Sequence, residues 1–315
     1  MKQKKALSLD NKIKNFDFCF VLFSLIRTFA SMKQAMIFAA GLGTRLKPLT
    51  DTMPKALVPV AGRPLLDINI ERLRQQGYNR FVVNVHHFAQ QIVDHIATHY
   101  AEPQPHILIS DESEKLLDTG GGLKKAAPLF SDDEPVLIHN VDILDNVDYE
   151  WFSRQHQPDE DAVLLVSRRK TKRYLLFDNS MRLMGWINTE TGEVKSPYPW
   201  LRNYLQTLPQ PLPAREGGND SNGGGSADDL FIPLPHREGL GVSLFAFSGI
   251  HSFSPRLFPL MERFPDKFSI IDFYLSICHR SRIYGCIKDN LQVLDVGKLD
   301  ALDKAETFLT TNITI

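Results

Sequence analysis

The stretch AAGLGTRLKPLTDTMPKALVPVAGRPLLD, Ala39 to Asp67, follows directly on the apolar run QAMIFAA (34–40) and leads into a helical pattern that begins near Pro64. Gly41 and Gly43 let the backbone turn tightly enough after the strand to aim several N–H groups at one point, which makes a nest for an anion. Arg45 adds a forked, permanently charged donor and Lys55 a mobile point charge, so phosphate is the natural guest. A dinucleotide fingerprint needs a third glycine where Leu46 stands, and Pro48 blocks an immediate helix. No G-x-x-x-x-G-K-[ST] occurs either, so neither a nicotinamide-dependent oxidoreductase nor a P-loop kinase is supported.

Working outward, short apolar runs alternate with amphipathic helical patterns, which is the signature of a mostly parallel α/β sheet flanked by helices. The expected strands are 34–40, 81–85, 106–110, 135–139 and 162–167, and the helix from Pro64 should end at Gly77. Beyond Ser167, RYLLFD (173–178) and MRLMGWI (181–187) read as an antiparallel cover. A final block runs from SLFAFSGI (243–250) through helical segments at 254–264 and 269–280, two more strands and a last helix. Between these parts, about 205–241 is rich in Pro, Gly, Ser and Asp, and PLPAREG (211–217) returns as PLPHREG (233–239). This reads as a flexible insertion, since long surface loops cost little extra closure entropy; a lid is the functional alternative.

The 315 residues carry 36 basic and 37 acidic side chains, a balance that gives no reason to expect a nucleic-acid partner. Cys19, Cys278 and Cys286 lack the short paired spacing of a zinc or redox site and read as inert thiols in a reducing, cytoplasmic setting. The apolar stretch 16–30 is interrupted by Asp17 and Arg27 and is too short to span a bilayer. With MKQ recurring at Met32, residues 1–31 read as an extension outside a domain covering 32–315. No stable membrane insertion is expected, and the sequence leaves the oligomeric state open.

Two aspartates stand at the carboxyl ends of predicted strands: Asp142 in HNVDI and Asp295 in DVG. Open α/β sheets bind ligands there, although either aspartate could equally cap a turn. DTGGGLKKAA (118–127) is a second glycine-rich entry to a helix. Asp118 or Thr119 serves as N-cap in one reading, and Gly120 and Gly121 admit a ligand to the backbone in the other. Candidates to hold a sugar phosphate are Asn84, Lys195, Ser248 and Gly249, with His86, His87, Tyr174 and Trp186 as further possibilities.

The run G-L-G-T-R-L-K-P-L-T, then M-P-K-A-L-V-P-V and G-R-P-L-L, resembles the signature of the sugar-phosphate nucleotidylyltransferase family. The resemblance extends from Lys33 to the C-terminus apart from the insertion. DTGGG and NVHH most resemble N-acetylmuramate-1-phosphate uridylyltransferases, with mannose- and heptose-1-phosphate guanylyltransferases close behind. It implies a Rossmann-like fold of the nucleotide-diphospho-sugar transferase type, with the NTP phosphates wrapped by Ala39, Ala40, Gly41, Leu42, Gly43 and Thr44. Arg45 and Lys55 would be the catalytic cations, Thr119, Gly120 and Gly121 would meet the nucleoside, and Asp142 and Asp295 would bind Mg2+. Lys195 could match a second lysine that some members place on the acceptor phosphate. The chain departs from the family in having Val141 before the first aspartate and Lys298 after the second one's glycine. The implied reaction joins an NTP to a sugar 1-phosphate with release of pyrophosphate: UTP with N-acetylmuramate or a hexose 1-phosphate, or GTP with mannose or heptose 1-phosphate. Its rivals are a cytidylyltransferase acting on a non-sugar phosphate such as phosphocholine, a non-catalytic nucleotide-sugar sensor, and an enzyme disabled by its insertion.

Overall fold

The computed structural model describes residues 33–100, 105–208, 231–233 and 241–312; the N-terminal extension and nearly all of the repeat-bearing insertion lie outside them. Four parallel strands form the nucleus: β1 (Lys33–Phe38), β2 (Tyr78–Val85), β3 (His106–Asp111) and β4 (Val136–Asn140), in the spatial order β4-β1-β2-β3. Alternate side chains on these strands enter opposite cores, as the strand period of two requires. Ile37, Val83 and Leu137 face one cluster, whereas Met36, Val82 and Ile138 face the other. Helix α1 (Leu65–Gln75) closes the first face with Leu65, Ile68 and Leu73, and Gly77 follows it at φ 88°, the left-handed conformation that ends a helix most cheaply in glycine. Helix α2 (Ala89–His99) packs on the same face through Ile92 and Ile96, while α3 (Asp118–Ala126) covers the opposite one through Leu123 and Ala126.

After β4 a short β5 (Ile143–Asp145) leaves the main sheet, which resumes with β6 (Ala162–Ser167), β7 (Arg173–Phe177), β8 (Leu183–Asn188) and β9 (Val194–Lys195). The strand read at 243–250 is longer, β10 (Gly241–Phe253). It is almost wholly buried and pairs antiparallel with β4, β6 and β7, so the antiparallel strands continue the sheet instead of lying over it as a separate layer. Its register shifts between Phe247 and His251, around Ser248 and Gly249. The helix expected at 254–264 is only a 3-10 turn at Pro255–Leu257 and one α-turn at Phe258–Met261, because Pro255 and Pro259 lack the amides a longer helix needs. Helix α4 (Pro199–Thr207) runs into the start of the stretch read as an insertion, with Leu205 buried, and Phe231–Pro233 from the same stretch pairs antiparallel with the start of β10. Helix α5 (Ile270–Ile277), capped by Ser269 Oγ accepting from Ile271 N at 3.2 Å, fills the second core with Phe273 and Tyr274. β11 (Ile283–Ile287) lies parallel to β6, β12 (Val293–Asp295) pairs antiparallel with β5, and α6 (Leu302–Asn312) closes the fold. No helix among the described residues is long and apolar enough to cross a membrane.

Candidate active site

β1 and β2 run in register, with Phe38 beside Asn84, and this sets the mouth of the phosphate loop. The Asn84 side chain is buried, and its Oδ1 accepts from Ala39 N at 2.7 Å and Ala40 N at 3.3 Å. Those two amides, expected to face phosphate, are therefore spent on holding the loop, and the exposed segment from Gly41 to Thr44 is left to receive a ligand. A Cβ built on Gly41 would meet nothing within 4 Å. Gly43, at φ 64°, is required by the turn itself: a Cβ there would lie 2.7 Å from Thr50 Cγ2, and its carbonyl accepts from Thr50 Oγ1 and Leu46 N, both at 2.8 Å. Buried Leu46 pins the loop, and its neighbour Arg45 stands half exposed.

The two aspartates meet because of the small β5–β12 ladder, in which Asp295 pairs with Ile143 and Val296 N donates to Asp142 O at 2.8 Å. Gly297 lies between them: a Cβ there would be 2.6 Å from Asp295 Oδ1, 3.1 Å from Asp142 Oδ2 and 2.6 Å from Arg45 Nη2. Each carboxylate faces one of the loop's cations, Lys55 in a direct ion pair with Asp142 and Arg45 3.6 Å from Asp295. Val141, one departure from the resembled pattern, is buried in the first core; its N donates to Phe38 O at 3.2 Å and its O accepts from Asn69 Nδ2 at 2.9 Å. Lys298, the other departure, is exposed and extended. Behind the pair, buried Asp145 accepts from Arg72, His139 Nε2 and Tyr149 Oη. Burial alone would raise its pKa, but the His139 hydrogen bond and the Arg72 charge hold the carboxyl well below its ordinary value.

Across the cavity, the second glycine-rich turn is filled by protein. Gly120 N and Gly121 N donate to Phe268 O at 2.9 and 3.2 Å, and Cβ atoms there would strike the Phe268 ring at 2.4 Å and Asp266 O at 1.9 Å. The amides expected to meet a nucleoside are thus engaged, and it is Asp118 and Thr119 that line the cavity. Neither residue caps its own helix; Thr119 Oγ1 accepts instead from Ile270 N at 3.0 Å, at the start of α5. The sequence reading missed Glu112, which is fully buried. Its Oε1 accepts from Asn84 Nδ2 at 2.7 Å and its Oε2 from Leu117 N at 3.1 Å, so a carboxylate and an amide join the two glycine-rich loops. Burial pushes the Glu112 pKa up against the pull of those two donors. The space enclosed, about 340 Å3, also reaches Gly41, Lys55, Asp142 and Lys267.

The four sugar-phosphate candidates separate. Asn84 is committed to the loop. Ser248 is buried in the β10 bulge, where its hydroxyl donates to Leu165 O at 2.8 Å and accepts from Ile250 N at 3.2 Å. Gly249, at φ 85°, makes room for Asn140, whose Nδ2 a Cβ would approach to 2.8 Å, and Asn140 lines the main cavity. Lys195 faces a second cavity of about 490 Å3 beside Arg169, Arg173 and Trp186, its Nζ donating to Asp272 Oδ1 at 3.0 Å and lying 5.4 Å from the Trp186 ring centre. His86 Nδ1 is tied to Glu112 O at 2.7 Å, and Tyr174 Oη accepts from Thr171 N at 3.0 Å.

Residues 34–174 match the family model described as nucleotidyl transferase. The chain is 47% identical over 111 residues to an N-acetylmuramate alpha-1-phosphate uridylyltransferase of Caulobacter vibrioides, covering 35% of this chain and 46% of the relative. It is 31% identical over 137 residues to a mannose-1-phosphate guanyltransferase of Debaryomyces hansenii, covering 43% and 38%. The chain therefore spans less than half the length of these curated relatives. A solved structure described as a putative glucose-1-phosphate thymidylyltransferase from Bacillus anthracis superposes with a TM-score of 0.63 over 90% of this chain and 97% of its own. At 14% identity that likeness shows the fold alone.

Proposed function

We propose that this chain, matched to the nucleotidyl transferase family over residues 34–174, moves a nucleoside monophosphate from an NTP onto a sugar 1-phosphate and releases pyrophosphate. One observation carries the reading: the cations of the phosphate loop and the two strand-end aspartates converge around Gly297. In this reading the free amides from Gly41 onward and the Arg45 guanidinium hold the β- and γ-phosphates, Lys55 lies against the α-phosphate, and Asp118 and Thr119 flank the nucleoside. An oxygen of the sugar phosphate attacks the α-phosphorus in line, the bond to the β-phosphate oxygen breaks, and pyrophosphate leaves. The attacking group is already anionic at neutral pH, so no general base is required, and alignment and fixed charge supply the rate.

Asp142 and Asp295 fit a hard cation: both are oxygen donors, and the space a Cβ on Gly297 would take lies 2.6 Å from Asp295 Oδ1 and 3.1 Å from Asp142 Oδ2. Mg2+ held there would supply charge against that building on the transferred phosphoryl group. The second cavity, with Trp186 as a flat wall and the cations Arg169, Arg173 and Lys195 outnumbering the carboxylates Glu193 and Asp272, suits an acidic sugar. That favours UTP with N-acetylmuramate 1-phosphate, the substrate named for the 47% identical relative, over a neutral hexose or a GTP-dependent pair. Residues 32–315 act as one transferase domain in this reading.

The test crosses UTP, GTP, CTP and dTTP against a panel of sugar 1-phosphates and phosphocholine, with and without Mg2+, and reads pyrophosphate. Release confined to one NTP and one sugar phosphate supports the proposal; release with CTP and phosphocholine replaces it with a cytidylyltransferase, and nucleotide binding without any release replaces it with a sensor.

A further inference from the structure

Four basic side chains around the two cavities already have acidic partners: Lys55 with Asp142, Arg45 with Asp295, Lys195 with Asp272, and Lys115 with Asp266. Lys267 lines the same cavity as Lys55 and Asp142, yet among the described residues no hydrogen bond or ion pair holds its ammonium. Its backbone is fixed all the same. Phe268 N donates to Leu117 O at 3.2 Å, Phe268 O receives the Gly120 and Gly121 amides, and the buried Phe268 ring wedges against the glycine turn. Ser269, two residues on and extended, lines the second cavity. Lys267 itself lies in a bend, so its direction is given by the first cavity, which it lines, and not by strand alternation. The short segment from Lys267 to Ser269 therefore borders both cavities, Lys267 on the first and Ser269 on the second.

We propose that Lys267 binds the phosphate of the acceptor, the role that sequence resemblance would give to Lys195. This rests on the transferase reading: with the nucleotide in the first cavity and the sugar in the second, the attacking phosphate must lie at their junction. Lys195 is held away by Asp272 and Trp186 inside the second cavity, where it contacts the sugar or shapes its wall. An unpaired ammonium on this bordering segment offsets the negative charge that otherwise opposes bringing one phosphate up to another, and it remains free to shift with the acceptor.

The experiment measures KM for each substrate and, independently of turnover, binding of N-acetylmuramate 1-phosphate by calorimetry, in wild type, Lys267→Ala, Lys267→Arg and Lys195→Ala. Loss of one charge-assisted contact predicts a roughly tenfold to hundredfold rise in acceptor KM and Kd for Lys267→Ala, with KM for the NTP unchanged, partial recovery in Lys267→Arg, and a smaller loss in Lys195→Ala. Unchanged acceptor affinity in Lys267→Ala, a rise confined to the NTP, or a larger loss from Lys195→Ala overturns it. If the wild type turns over no substrate pair, the transferase reading fails on its own, and equal acceptor affinity in wild type and Lys267→Ala overturns the assignment separately.

Discussion

The two glycine-rich turns of this chain look alike in sequence and are opposite in structure. At Gly41 the space a side chain would take is open, whereas at Gly120, Gly121 and Gly122 it is already filled by Phe268, Asp266 and Glu112. Gly41 keeps room for something outside the chain, whereas Gly43 beside it and the three glycines of the second turn let the chain approach itself. Glycine in a loop is thus evidence of a close approach, but the partner can be a ligand or the protein's own backbone.

The comparison breaks most visibly at the aspartate beside the first turn. Asp142→Asn keeps the shape and removes the charge, and turnover should fall on the order of a thousandfold with the melting temperature little changed, read by pyrophosphate release and calorimetry. The opposite behaviour is expected of Gly121→Ala. With a Cβ 1.9 Å from Asp266 O, overpacking should cost about 3 kcal/mol, lowering the melting temperature by about 2–4 °C per kcal/mol, while the folded fraction keeps its nucleotide affinity. Glu112→Gln tests the bridge between the turns. It sets an amide donor against either Asn84 Nδ2 or Leu117 N and should destabilise by roughly 1–3 kcal/mol in denaturant melts.

Glu112 also has a pH signature. Its pKa is raised in the fold, so the folded state holds the proton more tightly than the unfolded chain. Wild-type stability should therefore fall as pH rises from the unfolded value through the folded one, and Glu112→Gln should lack that fall. The smallest effect belongs to Gly41→Ala. Stability should stay within about 0.5 kcal/mol, because the position is open and its φ is not in the left-handed region, while KM for the NTP rises about tenfold. A stability loss at Gly41 larger than at Gly121 would reverse the comparison.

The parallel nucleus was legible because β1, β2, β3 and β4 are short apolar runs separated by amphipathic helices, a pattern that burial on two faces imposes on the sequence itself. Asp142 and Asp295 could be singled out as strand ends, but their meeting depends on the β5–β12 ladder, a pairing across some 150 residues that no local period encodes. The sugar side was the least legible. A serine or asparagine near a strand end looks the same in sequence whether its polar atoms face a ligand or a backbone amide, and Ser248 and Asn84 face the backbone. Lys267 left no local trace: it is one lysine in a polar turn, and its place follows from the packing of Phe268 on α3. Glu112 could have been suspected only from sitting between two motifs.

The bridge from Asn84 through Glu112 to Leu117 makes distant positions mutationally interdependent. Asn84→Asp alone would set two carboxylates against each other, and Glu112→Gln alone would oppose two donors. Made together they invert the bridge and keep every bond. One oxygen of the carboxylate now at position 84 still accepts the Ala39 and Ala40 amides, its other oxygen accepts from the glutamine amide at position 112, and the glutamine carbonyl accepts from Leu117 N. The double variant should thus be more stable than the sum of the single ones by roughly 0.5–3 kcal/mol, a positive epistasis that a thermodynamic cycle measures. Among diverging copies of this chain, residues 84 and 112 should accordingly exchange as a pair, with the negative charge moving between strand β2 and the end of strand β3 while the loop they support stays where it is.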